Sequence, residues 1–211
     1  MNPVRSIRPR AAPTAFALAF VFAMLSSIGS AGANGASDVV QRFHERLMPV
    51  LGAESAITSG QRIGPIRAAV DDAFHMPLIG RLVVGGTWNE LDRATKQRLT
   101  SAILQLNVAT YLSRLGDQRL RGHRVDGVRA GANSTLLVDA TIDATSGPLR
   151  LTYVTRELKG RWWIIDVLLD GQFSELEVRR NEYRGLIAQS GVPGLIDALE
   201  QQTAELTVSG N

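Results

Sequence analysis

Cysteine is absent from the 211-residue sequence, and its absence excludes several kinds of protein. The chain can form no disulfide bond and offers no thiolate to a metal, so its stability must come from packing. A lipoprotein is excluded as well, because such a protein carries its lipid on a cysteine near the N-terminus. The chain must therefore be stabilised by an apolar core without disulfide bonds.

Catalytic and nucleotide-binding motifs are also missing. The sequence contains no G-x-S-x-G nucleophile elbow, no phosphate loop and no G-x-G-x-x-G dinucleotide fingerprint. The three histidines, His44, His75 and His123, show no metal-ligand spacing with one another. We interpret His44 as a solvated helix residue. An acyl-transfer or nucleotide-dependent enzyme is therefore poorly supported.

Asp71, Asp72 and His75 lie within one helical turn and leave two alternatives open. They could supply two metal ligands or an acid–base pair. They could also form a polar helix end with a surface ion pair. We favour the ion pair, because the chain offers no spacing of the H-E-x-x-H type.

The first 33 residues are typical of a targeting signal. Three arginines among the first ten residues precede an apolar run at residues 15–25, which is shorter than the roughly 20 residues that span a bilayer. An A-x-A motif at residues 31–33 fits a cleavage site, so we expect a signal peptide at residues 1–33. The alternative is an uncleaved membrane anchor.

Positive and negative charges balance once this segment is set aside. The whole chain has 23 Lys+Arg, 20 Asp+Glu and a pI of about 9.8. Residues 1–33 hold three arginines and no acid, so residues 34–211 carry 20 basic and 20 acidic groups. Such a chain lacks the excess of positive charge that is typical of nucleic-acid-binding proteins, and we expect no nucleic-acid partner.

The hydrophobic pattern of the remaining chain is first helical, then strand-like, then helical again. Apolar residues repeat with helical spacing over residues 40–51, 65–74 and 92–115. Alternation with a period of two follows, and short turns favour an antiparallel meander. The predicted strands are residues 119–128, 134–143, 149–158 and 162–169.

The chain ends in helices. Ser174 and Glu177 form a capping box that predicts a helix start, and residues 191–193 predict a break before a last amphipathic helix. Helices, a sheet and further helices predict one α+β domain at residues 34–208, followed by a flexible tail at residues 209–211.

The strand at residues 162–169 is apolar on both faces, so each face needs cover. An ordinary core and a ligand cavity both satisfy this need. Asp166 lies in mid-strand, where a carboxylate is costly unless it is paired. It could be a general base at a pocket, or a hydrogen-bond or ion-pair partner of Arg150, Arg156 or an arginine on the following helix. We favour the structural role, because no catalytic partner is visible.

Several segments resemble a known family. Residues 162–171 resemble the W-x-V/I-x-D-V-x-x-E/D-G signature of the MlaC-like periplasmic phospholipid-binding proteins, also called the toluene-tolerance auxiliary family. Residues 179–183 are similar to its R-x-x-F/Y element, and residues 191–199 to its closing G-x-x-x-L-I-x-x-L pattern. Residues 74–88 resemble its F-d-x-x-x-M/I-x-R-x-x-L-G-x-x-W segment. Together these matches cover nearly all of the chain after residue 33.

The resemblance implies a lipid carrier of the Gram-negative periplasm. Such a carrier shuttles lipid between an outer-membrane lipoprotein complex and an inner-membrane ABC transporter that carries an MCE-domain protein. The implied fold is NTF2-like, with N- and C-terminal helices on a curved four-stranded antiparallel sheet and a lipid cavity between them. Residues 166–176 look closest to the hopanoid-associated HpnM subgroup, so the implied cargo is a phospholipid or a hopanoid. We expect a monomer without a cofactor.

The residues that alternation and position place at this cavity are apolar or aromatic. They are Phe74, Met76, Leu78, Leu82, Trp88, Leu106, Leu149, Leu151, Tyr153, Trp163, Ile165 and Val167. Two other functions stay open. One is a small-molecule enzyme on a cone-shaped α+β fold that uses Asp166 and Tyr153 as base and acid. The other is a cavity-free adaptor that docks to a membrane transporter.

Overall fold

The computed structural model describes residues 30–52, 58–116, 118–169 and 173–209 of the chain. Helices stand at both ends of the described chain, and one antiparallel sheet lies between them, so the predicted α+β class is confirmed. The helices are α1 (Ser30–Leu51), α2 (Ser59–Ala73), α3 (Met76–Val84), α4 (Arg93–Leu115) and α5 (Glu175–Ser209). A 3-10 helix (Gly85–Glu90) joins α3 to α4. The strands are β1 (Gly122–Ala130), β2 (Thr135–Ala144), β3 (Gly147–Leu158), β4 (Arg161–Leu169) and β5 (Phe173–Ser174).

Side-chain caps explain where two of the helices begin. At the start of α4, the Thr95 amide donates a hydrogen bond of 2.6 Å to Asp92 Oδ1. At the start of α5, the Glu177 amide donates to Ser174 Oγ at 2.9 Å. Each cap satisfies one of the amides that have no partner inside the helix. The helix start predicted at Ser174 is therefore confirmed.

The strands form a meander in which each pairs with its neighbour in the chain. The β3–β4 turn places Lys159 and Gly160 at φ of 52° and 75°, a left-handed pair that suits the twist of a tight hairpin. β1 begins at Gly122, later than predicted, and Leu120 instead forms an isolated bridge with Gly52 at the end of α1. The four predicted strands are present, and β5 adds a two-residue strand beside β4.

Cross-strand partners share a face, and their burial distinguishes an inner face from an outer face. Val138, Tyr153 and Val167 align across β2, β3 and β4 on the inner face. Val138 and Tyr153 are fully buried there. α1 crosses this face and contacts all four long strands. The core therefore lies between a helical layer and the inner face of the sheet.

The outer face is polar over much of its area. Arg129 and Asp139 form an ion pair at 3.0 Å, and Thr152 Oγ1 donates to the same carboxylate at 2.5 Å. On β4 the outer face carries Trp163, which is half-buried. Its ring is covered by the Arg161 guanidinium, 3.9 Å from the ring centroid. Arg161, which lies on the same strand, therefore covers part of the outer face of β4.

The edge of β4 is paired by the segment that links α2 to α3. The His75 amide donates to the Ile164 carbonyl at 3.0 Å, and Phe74 forms a parallel bridge with Ile164. Further along the same edge, β5 pairs with Leu168 and Leu169. Because these groups are hydrogen-bonded, this edge is protected from pairing with another chain.

α5 changes direction at Gly191, as the turn residues predicted. Gly191 has a φ of 67°, a conformation that glycine adopts without strain, and Pro193 follows it. Beyond the kink, Leu195, Ile196 and Leu199 are buried. Among the described helices, none has the combination of length and hydrophobicity needed to cross a membrane.

Candidate functional site

A cavity of about 350 Å³ lies between the C-terminal half of α4 and the inner face of β3 and β4. Most of its wall is apolar, with polar side chains contributed by α4, the segment that follows α4, and α5. The lining residues are Phe74, Asn107, Thr110, Tyr111, Arg114, Leu115, Gln118, Pro148, Leu149, Arg150, Leu151, Val167, Leu169 and Arg179. Arg114, Pro148 and Arg150 are exposed and mark the opening to solvent. We call this space the main cavity.

The sheet supplies the apolar floor of the main cavity. Leu149 and Leu151 alternate along β3 and therefore point to one face. Leu151 pairs with Leu169 on β4, and Val167 lies two residues before Leu169 on the same face. The period-two pattern of the sequence thus translates directly into a continuous apolar surface.

One face of α4 forms the opposite wall. Asn107, Tyr111 and Arg114 recur at i, i+4 and i+7, so a single helical face presents all three. Gln118 lies beyond the end of the helix, and its carbonyl accepts hydrogen bonds from the Thr145 amide at 3.1 Å and hydroxyl at 2.9 Å. These bonds tie the end of α4 to the β2–β3 turn beside the opening.

A smaller cavity of about 60 Å³ adjoins the main one. The two share Phe74, Asn107, Val167 and Arg179 in their walls. The smaller cavity continues toward α3 and the first part of α5, where it is lined by Ile79, Val83, Ile103, Ile165, Asp166, Leu176, Tyr183 and Leu199. The apolar space therefore extends from the opening into the seam between sheet and helices.

A bulge in β4 explains how Ile165 reaches this seam. Val154 pairs with Asp166 and Thr155 pairs with Ile164, so Ile165 is an extra residue in β4. A bulge redirects side chains locally. Both Ile164 and Ile165 are consequently buried, although simple alternation would place them on opposite faces.

Aromatic rings pack behind the main cavity. Phe43 of α1 makes edge-to-face contacts with Phe74 at 5.2 Å, with Tyr111 at 5.4 Å and with Tyr153 at 6.2 Å between ring centroids. Such contacts stabilise aromatic clusters beyond their buried area. Phe74 and Tyr111 also line the cavity, so this cluster fixes the shape of its inner end.

A buried polar pair adjoins the aromatic cluster. His44 Nε2 and Tyr153 Oη share a hydrogen bond of 2.7 Å, and both residues are fully buried. Burial, and next the nearby His123, lower the pKa of His44 to about 3. Burial also raises the pKa of Tyr153 well above its usual value. Both groups are therefore neutral at neutral pH.

The interpretation of His44 as a solvated residue was wrong. It lies on the same face of α1 as Val40, Leu47 and Leu51, at helical spacing. This spacing was a signal for burial, because residues three and four apart share a helix face.

Asp166 joins the sheet to α5. Its Oδ1 accepts hydrogen bonds from the Val167 amide at 2.8 Å and the Leu176 amide at 3.0 Å. Its Oδ2 accepts a hydrogen bond of 2.5 Å from Ser174 Oγ. The Leu176 amide lies in the first turn of α5, where amides lack helical partners. The carboxylate thus anchors the start of the last helix, consistent with the favoured structural role.

Five of the twelve predicted lipid-binding residues line the two cavities. They are Phe74, Leu149, Leu151, Ile165 and Val167. These five come from the α2–α3 link, β3 and β4, which the fold brings together at the seam between sheet and helices.

The other seven predicted residues lie outside the linings of these cavities. Met76, Leu106 and Tyr153 are buried in the core. Leu78, Leu82, Trp88 and Trp163 are half-buried. Trp88 packs near Lys96, whose Nζ lies 5.6 Å from the ring centroid, and Trp163 contacts His75 edge to face at 5.2 Å.

The polar part of the lining was not predicted from the sequence. Asn107, Tyr111 and Arg114 were not selected, because the apolar stripe at Leu99, Ile103 and Leu106 took precedence in α4. Their own helical spacing, with an aromatic residue at its centre, was the available signal.

The polar cluster at residues 71–75 forms a surface ion pair. Asp72 accepts a hydrogen bond from Arg161 Nη2 at 2.8 Å and pairs with Arg46 at 3.2 Å. His75 caps α3 through Nδ1. The favoured alternative is therefore confirmed. Within the residues that the structure describes, no group of three or more His, Cys, Asp or Glu side chains is arranged to hold a metal.

Comparisons with known proteins agree with this architecture. A family model described as MlaC protein matches residues 41–201. Among solved structures, the chain is similar to a phospholipid-binding protein from Ralstonia solanacearum in complex with a phospholipid. The two are 18% identical with a TM-score of 0.70, and the match covers 81% of this chain and 98% of that one. None of the curated proteins matches the sequence.

Proposed function

The chain belongs to the MlaC family, and on this premise we propose that it is a lipid carrier whose main cavity holds acyl chains. The observation that carries the proposal is the main cavity itself, an apolar space of about 350 Å³ that opens to solvent beside Arg114 and Pro148. Cavities of roughly this size, 300–1,000 Å³ and mostly apolar, are typical of small-molecule sites.

Burial of methylene groups is sufficient to hold a lipid in such a cavity. Each buried CH₂ contributes about 0.8 kcal/mol, so ten of them contribute about 8 kcal/mol. The floor formed by Leu149, Leu151, Val167 and Leu169 gives an acyl chain the apolar contacts that this estimate requires. The adjoining smaller cavity offers a route along which a chain extends toward α3.

The Ralstonia solanacearum protein supports the same proposal, because a protein of this fold was solved with a phospholipid. We propose a phospholipid as the cargo of the present chain, with a hopanoid as the second candidate. The second candidate rests on the resemblance of residues 166–176 to the hopanoid-associated subgroup.

We do not propose an enzyme. The two side chains that the catalytic alternative requires have structural partners instead. Asp166 accepts hydrogen bonds from Ser174 and from backbone amides of β4 and α5, and Tyr153 is hydrogen-bonded to His44 in the core. A cavity-free adaptor does not account for the apolar space between α4 and the sheet.

We propose that this carrier works in the periplasm, between an outer-membrane lipoprotein complex and an inner-membrane ABC transporter with an MCE-domain protein. Residues 1–33 would direct export, so the mature chain would begin at Asn34. The predicted signal lies mostly outside the described residues, and its last four residues are in the first turn of α1. Intact mass of the exported protein measures this boundary.

Filling the main cavity tests the proposal. Leu151→Trp places an indole on the cavity floor, so it should lower uptake of a fluorescent phospholipid from vesicles several-fold. Uptake is measured as fluorescence that remains with the protein after the vesicles are removed.

Val154→Trp is the matched control, because Val154 lies on the same strand but faces the outer side of the sheet. This variant should take up lipid as the wild type does. Unchanged uptake by a folded Leu151→Trp protein, checked by circular dichroism, would argue against a carrier that uses this cavity.

A further inference from the structure

We propose that the cavity selects lipids whose headgroup is negatively charged, through the guanidinium groups of Arg114 and Arg179. This inference rests on the proposed function, because it assigns a headgroup class to the same cavity. It goes beyond that function, since burial of acyl chains alone does not distinguish one headgroup from another.

The charge of the cavity lining has one sign. Among the described residues that line the main cavity, Arg114 and Arg179 come from the helical wall, Arg150 lies at the rim, and none carries a carboxylate. Arg114 comes from α4 and Arg179 from α5, so two separate helices bring positive charge to one space. Residues 34–211 carry equal numbers of basic and acidic groups, so this positive charge is a local property of the cavity.

The position of Arg114 suits a headgroup. It is exposed, and it belongs to the residues that mark the opening, whereas Leu115 beside it is buried. The phosphate of a glycerophospholipid lies between its acyl chains and its polar end. When the chains occupy the apolar floor, the phosphate must therefore lie where the wall meets water, and Arg114 is at that boundary.

The position of Arg179 brings a second guanidinium to the same lipid. Arg179 is half-buried and lines both the main and the smaller cavity. Asp166 also lines the smaller cavity, and its oxygens accept hydrogen bonds from Ser174 and two backbone amides. A guanidinium has five N–H donors, so Arg179 can bind a phosphate oxygen while it keeps another partner.

Arg150 is not included in the proposed pair. Its neighbours Leu149 and Leu151 face the cavity, so its side chain leaves β3 on the opposite face of the sheet. Its charge contributes only at the rim, where solvent screens it.

Competition between two lipids with identical acyl chains tests the inference. Lipid-free protein is incubated with vesicles that contain equal amounts of dioleoylphosphatidylglycerol, which is anionic, and dioleoylphosphatidylcholine, which is zwitterionic. Native mass spectrometry then gives the ratio of the two adducts. We expect a preference of roughly fivefold or more for the anionic lipid. Both lipids carry the same phosphate anion, but the choline group of phosphatidylcholine adds a positive charge that the two guanidinium groups repel. Raising NaCl from about 0.05 M to about 0.5 M should reduce this preference.

The variants assign the preference to residues. Arg114→Gln/Arg179→Gln should bring the adduct ratio to within about twofold of unity, because the positive charges that repel choline are removed. Arg93→Gln/Arg121→Gln is the matched control, since both residues are exposed and lie outside the cavity lining. The single variant Arg114→Gln changes an exposed position and should already lower the preference. It tests the assignment even if the double variant fails to fold.

Each contrary result overturns a different statement. Wild-type protein that binds both lipids equally overturns the headgroup inference and leaves the carrier function standing. Wild-type protein that binds neither lipid overturns the carrier function and the inference with it. A preference that survives in both the single and the double arginine variants overturns the assignment to Arg114 and Arg179.

Discussion

The Asp166 carboxylate joins β4 to the start of α5 through hydrogen bonds. In an apolar strand a carboxylate is costly unless its oxygens are hydrogen-bonded. Here one oxygen accepts from two backbone amides and the other from Ser174, so the cost is offset and β4 is tied to α5. Because both elements contribute to the cavity lining, this link helps to hold the cavity in shape.

His44 makes stability depend on pH. Its pKa is about 3 in the folded protein and about 6.5 when unfolded. Between these values the unfolded chain binds the proton more readily, so stability falls as the pH is lowered through this window. From pH 7 to pH 4.5, His44 should cost the wild type about 2–3 kcal/mol of unfolding free energy. Urea denaturation at the two pH values measures this loss.

His44→Gln is the comparison that isolates this residue. Glutamine can still hydrogen-bond to the Tyr153 hydroxyl but does not titrate. The variant should lose about 2–3 kcal/mol less than the wild type over the same pH interval. Equal losses in both proteins would show that His44 is not the group responsible.

At the scale of elements, two helices determine the space above the sheet. α1 lies across the inner face, and its glycines allow a close approach to Trp162 of β4. α4 spans the other part of that layer, with its apolar stripe in the core and its Asn107–Arg114 row in the cavity. The cavity lies beside the Asn107–Arg114 row, where the surface that α4 presents to the sheet is partly polar and not fully apolar.

Gly35 is the point at which α1 meets β4. A Cβ atom at this position would lie 2.5 Å from Cδ1 and 2.8 Å from Nε1 of Trp162, closer than atoms can pack. Gly35→Ala should therefore destabilise the fold by about 1–2 kcal/mol, although alanine is the better helix former by about 1 kcal/mol. Thermal or urea unfolding measures the change.

Gly60→Ala in α2 provides the control for helix propensity. A Cβ atom at Gly60 would meet nothing within 4 Å. This variant should be as stable as the wild type or gain up to about 1 kcal/mol. If Gly35→Ala proved equally stable, the close contact between α1 and Trp162 would not be present in solution.

At the scale of the whole molecule, periodicity predicted the elements well. Period-two alternation located the strands, and the capping pair Ser174 and Glu177 located the start of α5. These signals are local, so a single sequence contains them. The α+β class followed from their order, and the family resemblance supplied the expectation of a cavity between sheet and helices.

The cavity lining was harder to predict, because it depends on which elements come together in space. Leu149, Leu151 and Val167 were found, since strand alternation alone assigns their face. Tyr111 and Arg114 were missed, since their helical spacing marks a shared face of α4 but does not by itself say that this face meets the sheet. Ile165 reaches the cavity through a bulge, which no alternating pattern predicts.

Native mass spectrometry of the protein, purified from the periplasm of a Gram-negative host, shows whether the main cavity carries a lipid. We expect a species heavier than the mature chain by the mass of one lipid, which disappears after organic extraction and is depleted in Leu151→Trp. The mass of the released molecule would also decide between phospholipid and hopanoid. A single lipid-free mass for the gently purified wild-type protein would contradict a lipid-carrying cavity.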